Sequence, residues 1–293
     1  MTELSEMGKT AAVIGAGGFI GSRLVTGLAK LGWQVYAVTS QAQNVAQSLN
    51  IKVISSAWTQ RGVESAFAQA RDAGLWVMTG ARVDFSDRNI LGLYRDNALL
   101  SEGWARLIAG LSPKPRIIYL SSISVYGPRQ EIGVKVSPEP ESHYGLSKLL
   151  GERLCLAYLG NRCLVLRLSG VWGRERNPKL FVNRCLQQAG EGHALAVNGP
   201  GAAKRNYLWV GDMARIADRA YERRWHGLRL VGGPQPISMR EMVTAIADRF
   251  GVTVNFTDAE TPQLEMDVLV KIPPELPLTD FYEALDIEIG DMN

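Results

Sequence analysis

Ala11-Ala12-Val13-Ile14-Gly15-Ala16-Gly17-Gly18-Phe19-Ile20-Gly21-Ser22-Arg23-Leu24-Val25 joins a short apolar run to a glycine-rich turn and then to a helical pattern. The run is short, β-branched and closed by a breaker, which reads as a buried strand. The glycines recur as Gly15-x-x-Gly18-x-x-Gly21 and not as the best-known dinucleotide fingerprint G-x-G-x-x-G, whose third glycine would fall at position 20, where isoleucine stands. A tight turn opening a helix leaves free N–H groups and the positive end of the helix dipole for an anion. A side chain at Gly18 would block a pyrophosphate from that approach. Gly15, Gly18, Phe19, Ile20 and Gly21 are therefore candidate cofactor-binding residues.

Outward from this turn, further apolar runs at 34–38, 52–54, 75–78, 116–120 and 163–168 alternate with helical patterns. That alternation is the mark of βα units feeding a parallel sheet. The expected fold is α/β: a Rossmann-type doubly wound parallel sheet over residues 1–168, with a smaller C-terminal substrate-binding lobe over 169–293. Segments of the lobe can return to the sheet. Helices are expected at 180–189, 212–222 and 239–249. The stretch 128–141, with three prolines and no periodicity, reads as a loop beside the site.

The 293 residues carry a formal charge of only +3, with basic residues scattered, so no nucleic-acid footprint is expected. Arg223 to Arg229 reads as a solvated helix end. Cys155, Cys163 and Cys185 are odd in number and show no paired spacing, which points to no disulfide framework and a reducing compartment. His143, His193 and His226 are dispersed, so no metal site is expected. The N-terminal ten residues carry Glu3 and Glu6 and no apolar core, and no later stretch has the apolar length of a membrane span. A cytoplasmic protein with a small-molecule substrate fits these features.

At the end of the second strand a dinucleotide enzyme often places a carboxylate against the ribose hydroxyls. Thr39 and Ser40 stand there instead. Their hydroxyls tolerate a 2′-phosphate, which favours NADP and leaves NAD possible.

Tyr144-Gly145-Leu146-Ser147-Lys148 opens a helix and places Tyr144 and Lys148 one turn apart on one face. A phenol ordinarily titrates near ~10, and a neighbouring ammonium draws it down toward use as an acid/base. The fifth strand ends in Ser121-Ser122-Ile123-Ser124-Val125-Tyr126-Gly127, which puts hydroxyls at the carboxyl edge of the sheet, where open α/β folds bind ligands.

The glycine turn, the Ser-Ser-x-x-Val-Tyr-Gly strand end and the Tyr-x-x-x-Lys helix occur in the order of the extended short-chain dehydrogenases/reductases, the NAD-dependent epimerase/dehydratase family, and the chain resembles that family over nearly its whole length. The resemblance implies Ser122, Tyr144 and Lys148 as the catalytic triad, with Lys148 also on the nicotinamide ribose. Asn97, in Arg95-Asp96-Asn97-Ala98, resembles the family's fourth-helix asparagine. Arg205, in Arg205-Asn206-Tyr207-Leu208-Trp209-Val210, resembles the arginine that contacts the diphosphate in nucleotide-sugar members. Ser122, Ser124, Tyr126, Trp172 and Arg205 are the candidate substrate-side residues.

The chain departs from the family at Thr79-Gly80-Ala81, where many members carry histidine and paired alanines, and at Gly170, where asparagine is frequent. Ser122-Ile123-Ser124 replaces the Thr-Asp-Glu of the 4,6-dehydratases, which argues against water elimination. The function implied is oxidoreduction at a hydroxyl- or ketone-bearing carbon of a nucleotide-linked sugar, as a 4-keto reductase or an epimerase. A reductase of a non-sugar ketone and a non-catalytic dinucleotide sensor are the alternatives. The resemblance also implies a homodimer through helices at 89–109 and 144–159.

Overall fold

A computed structural model of the chain describes residues 9–83, 89–175, 178, 180–257 and 266–290. The segment carrying Glu3 and Glu6 lies outside these residues. Seven strands, β1 (Thr10–Ile14), β2 (Gln34–Thr39), β3 (Ile51–Ser55), β4 (Leu75–Met78), β5 (Arg116–Ser122), β6 (Cys163–Leu168) and β7 (Gly227–Val231), form one parallel sheet in the order β7-β6-β5-β4-β1-β2-β3. Ladders run in parallel register from β1 to both β2 and β4, Ala12 lying between Tyr36 and Trp76. The strand order reverses between β1 and β4, the place where open α/β sheets bind ligands. The sheet is of the Rossmann type expected from the sequence.

β1 is apolar and buried because helices cover both faces of a parallel sheet. The flanking helices are α1 (Phe19–Lys30), α2 (Gln60–Ala70), α3 (Ile90–Tyr94) continuing through a π-helical turn at Arg95–Leu99 into α4 (Leu100–Ala109), and α5 (His143–Leu159). Trp76, Trp104 and Tyr119 lie in the core among Ile14, Val38 and Cys155.

The chain clusters into two compact units. The first holds Met1–Gly127, Ser137–Arg167 and Met213–Arg229; the second holds Pro128–Val136, Leu168–Asp212 and Leu230–Asn293. The return of 213–229 to the first unit has a simple cause. Met213, Ile216, Ala217 and Ala220 are buried on one stripe of the helix Asp212–Glu222, and Asp218 accepts from Trp33 Nε1 at 2.8 Å and from Lys9 Nζ at 2.8 Å. Of the stretch 223–229, expected to be a solvated helix end, Arg223 and Arg224 are exposed at the end of that helix, whereas Gly227 to Arg229 open β7. In the second unit the loop expected at 128–141 contains a two-residue strand, Glu131–Ile132, paired in parallel with Leu269–Val270. The helix Met239–Phe250 begins at a Ser238/Glu241 capping box and ends at Gly251 with φ 67°. Among the described residues no helix is long and apolar enough to cross a membrane.

Two glycines report opposite constraints. A Cβ on Gly21 would press into the Gly15 carbonyl, whereas one on Gly103, inside α4, would meet nothing within 4 Å. Gly21→Ala is expected to cost about 1–3 kcal/mol through overpacking, and Gly103→Ala to gain about 0.5–1 kcal/mol through helix propensity. Thermal unfolding of the two variants checks both signs.

Candidate active site

The turn after β1 is shaped by backbone contact. Gly15 has φ 86°, and a Cβ there would lie 2.6 Å from Gly80 Cα. Its N–H reaches the Val38 carbonyl at 2.9 Å, and the Thr79 hydroxyl donates to the Ile14 carbonyl at 2.8 Å. Thr79 and Gly80, which depart from the family pattern, thus brace the glycine turn across the point where the sheet order reverses. Gly18 caps α1 and is exposed; Phe19 and Ile20 open the helix and are half-buried; the first turn holds no acidic residue. An exposed helix N-terminus with no acidic side chain in its first turn, behind bare backbone, is a fitting cradle for a dinucleotide pyrophosphate.

The hydroxyl pair at the end of β2 does not support the NADP expectation. Thr39 is buried and its Oγ1 accepts from the Gln41 N–H at 2.9 Å, so that side chain serves the turn. Ser40 alone of the two is exposed.

Ser122 ends β5 and caps a short 3-10 turn, its Oγ accepting from the Ser124 N–H at 3.1 Å and donating to Ser124 Oγ at 3.0 Å. The Ser122 hydroxyl also hydrogen-bonds the Tyr144 phenol. Ser142 caps α5 by accepting from the Gly145 N–H, which sets Tyr144 in the first turn and Lys148 one turn later. A Cβ on Gly145 would collide with the Ser124 carbonyl, so that glycine lets α5 close on the strand end. The structure therefore brings together Ser122, Ser124, Tyr144 and Lys148.

The electrostatics differ from the expectation drawn from Tyr-x-x-x-Lys. Burial pushes the Tyr144 phenol above its ordinary value, and it is the Ser122 hydrogen bond that opposes this. Burial pushes the Lys148 ammonium down to about 8, with Cys155 and Glu152 pulling the other way. Its Nζ lies 4.3 Å from the centroid of the Tyr119 ring. The Cys155 thiol is itself pushed up to about 12 by burial and is neutral at ordinary pH, which leaves Glu152 as the anion on that side.

Other expected site residues lie elsewhere. Asn97 is fully buried; its amide donates to Ser147 Oγ at 2.9 Å and to the Arg82 carbonyl at 3.0 Å and accepts from the Arg82 N–H at 2.7 Å. It braces α5 beside Lys148. Tyr126 is fully buried, its hydroxyl accepting from Arg167 Nη1 at 2.7 Å. Trp172 and Arg205 belong to the second unit. Trp172 is fully buried and packs on Phe281 at 4.7 Å, while Arg205 is half-exposed and pairs with Ile237. Sequence reasoning passed over Glu152, Arg167 and Tyr119. A detectable signal was Arg167, a charge inside the otherwise apolar strand 163–168.

The family model described as "NAD dependent epimerase/dehydratase family" matches residues 11–229. The chain belongs to this family. Among curated relatives, the uncharacterized UDP-glucose epimerase YtcB of Bacillus subtilis (strain 168) is 29% identical over 149 residues, 48% of this chain and 47% of that one. The match thus spans about half the length of that relative. GDP-mannose 3,5-epimerase 1 of Oryza sativa subsp. japonica is 24% identical over 86% of this chain and 69% of its own. Among solved structures, the UDP-glucuronic acid 4-epimerase of Bacillus cereus in complex with NAD superposes with a TM-score of 0.80 at 21% identity, covering 96% of this chain and 97% of that one. The Bordetella bronchiseptica enzyme WbmH in complex with NAD+ gives 0.80 at 18% identity over 97% and 98%. At such identities the structures establish that this epimerase/dehydratase family member shares their fold.

Lys148 yields a pH signature. With a folded value of about 8 against 10.5 for the free side chain, the unfolded state binds more protons between these values. The cost of the buried charge is thus fully present below about pH 8 and fades as pH rises toward 10.5. Lys148→Met removes that cost, so its melting temperature relative to wild type is expected to be highest below pH 8 and to fall as the pH rises. Calorimetric scans across this range check the trend; a difference that does not vary with pH contradicts it.

Proposed function

We propose that this protein is an NAD-dependent epimerase acting on a hydroxyl-bearing carbon of a nucleotide-linked hexose. The observation that carries the reading is the placement of Ser122 at the carboxyl end of β5, where α5 closes on the strand end through Gly145, with Tyr144 in the first turn of α5 and Lys148 one turn beyond it. Relatives named for epimerisation of UDP- and GDP-linked sugars support the substrate class. Bound NAD supplies reversible two-electron chemistry at the sugar carbon. Gly15, Gly18 and Gly21 admit its pyrophosphate to the N-terminus of α1, and Lys148 is the residue for the ribose. Ser122 holds the sugar oxygen. Tyr144 takes the hydroxyl proton as that carbon is oxidised and returns it on reduction, so no net proton or cofactor is consumed. The Lys148 ammonium favours the phenolate that takes this proton and is regenerated when the proton is returned. The absence of a carboxylate at the end of β2 favours a second reading, a keto-sugar reductase accepting either dinucleotide.

UDP-glucose and UDP-glucuronic acid incubated with the protein and catalytic NAD, followed by proton NMR, test the reading. An epimerase forms the C4 epimer with no net change in NADH absorbance, and a reductase turns over only a keto-sugar with stoichiometric loss of NADH or NADPH. Tyr144→Phe is expected to lower kcat by about 10²–10⁴ while binding NAD as wild type does.

We also propose a homodimer. Leu91 on α3, Leu99 in the π-helical turn, and Leu146, Leu150 and Tyr158 on α5 are apolar side chains 38–84% exposed on neighbouring helices. Sedimentation is expected to give a dimer for wild type and a monomer for the double variant Leu91→Glu/Leu150→Glu; a monomeric wild type contradicts the proposal.

A further inference from the structure

A buried charged cluster of Glu152 and Arg167 lies next to Ser122 in sequence, through Ser121, and one helical turn beyond Lys148. Glu152 and Arg167 have side chains 3% and 5% exposed. Arg167 Nε donates to Glu152 Oε1 at 2.9 Å and Arg167 Nη2 to Oε2 at 2.7 Å, a two-pronged pair that fixes the carboxylate plane. The remaining Arg167 prong, Nη1, donates to the Tyr126 hydroxyl at 2.7 Å, and the guanidinium carbon lies 4.7 Å from the Tyr126 ring centroid. Ser121 donates its hydroxyl to Glu152 Oε1 at 2.5 Å.

Sequence positions give this cluster its meaning. Ser121 precedes Ser122 on β5, Tyr126 closes the turn that follows Ser122, and Glu152 stands one helical turn beyond Lys148 on α5. A carboxylate held by a fixed arginine therefore grips the strand end next to one reacting residue while lying on the face of the helix that carries the other. A buried ion pair adds little net stability over apolar packing. Its placement, rather than its energy, is what the fold gains.

We propose that Glu152, held by Arg167, is a positioning residue of the active site: through Ser121 it locks the end of β5 against α5, and it keeps a negative charge one turn from Lys148. The groups packed around Lys148 are Tyr119 from β5, Tyr144, Glu152 and Cys155 from α5 itself, and, behind Glu152, Arg167 from β6. Tyr119 and Cys155 are held neutral by burial, so Glu152 supplies the compensating charge. This inference rests on the proposed roles of Ser122, Tyr144 and Lys148, but its test is separable from the proposed reaction.

The test uses the ligand-free protein with 13C-labelled lysine, in which the Lys148 Cε resonance, assigned by its loss in Lys148→Met, reports the ammonium directly. Because removing one partner leaves a buried unpaired charge and endangers folding, the double variant Glu152→Leu/Arg167→Met replaces the pair with apolar side chains of similar size. The Lys148 midpoint is expected to fall by about one pH unit or more in this variant. Ser121→Ala leaves the ion pair intact and loosens only the strand end; in the active enzyme it is expected to lower kcat about tenfold with KM unchanged. An unshifted Lys148 midpoint in a folded double variant, or Ser121→Ala turning over at the wild-type rate, overturns the proposal. Should the double variant not fold, the Ser121→Ala kinetics decide alone. Failure of the wild type to act on any nucleotide-linked sugar would refute the proposed reaction and leave the NMR test standing.

Discussion

Between β1 and α1 the chain turns at Gly15 in a conformation that L side chains rarely adopt, with Gly80 packed against it on one side and Gly21 closing on its carbonyl from the other. This close backbone approach joins β1, β4 and α1 at the point where the sheet order reverses. Every other part of the candidate site is positioned relative to it. α1 must begin there for its free N–H groups to face an anion, and Thr79-Gly80 must follow β4 for the turn to fit.

The second organising element is α5. It crosses the end of β5 closely enough that Gly145 and Gly151 leave no room for side chains against the Ser124 carbonyl, the Tyr119 hydroxyl and the Asn97 carbonyl. Tight packing puts Tyr144 within hydrogen-bonding reach of Ser122 and buries Lys148 against Tyr119. Burial has a price: it drives both the phenol and the ammonium toward their neutral forms. The surrounding polar groups, Ser122 for the phenol and Glu152 for the ammonium, offset that tendency, so the site's chemistry depends on neighbours that do not themselves react.

Much of this was legible in the sequence because it rests on local signals. Six of the seven sheet strands follow from apolar runs bounded by breakers, and the glycine turn and the Tyr144–Lys148 spacing are short-range patterns. β7 was not legible, because Arg229 and the bulky Trp225 obscure a strand that is half-exposed at the sheet edge. The roles of Thr39 and Asn97 were not legible either. Thr39 spends its hydroxyl on a turn two residues away, and Asn97 spends its amide on Arg82 and Ser147. Such choices depend on which backbone groups the fold leaves unsatisfied nearby, and residue type alone does not reveal them.

The central claim is that the glycine turn holds a dinucleotide for Tyr144 chemistry. Its most direct test is a calorimetric titration of NAD into wild type and Gly18→Val. Gly18 is exposed at φ −79°, which valine can adopt, so the variant is expected to fold. A Cβ there would lie 3.3 Å from the Gly15 carbonyl oxygen, so some loss of melting temperature is expected; the account predicts that wild type binds and the folded Gly18→Val variant does not. Equal binding by both, or binding by neither, would contradict it.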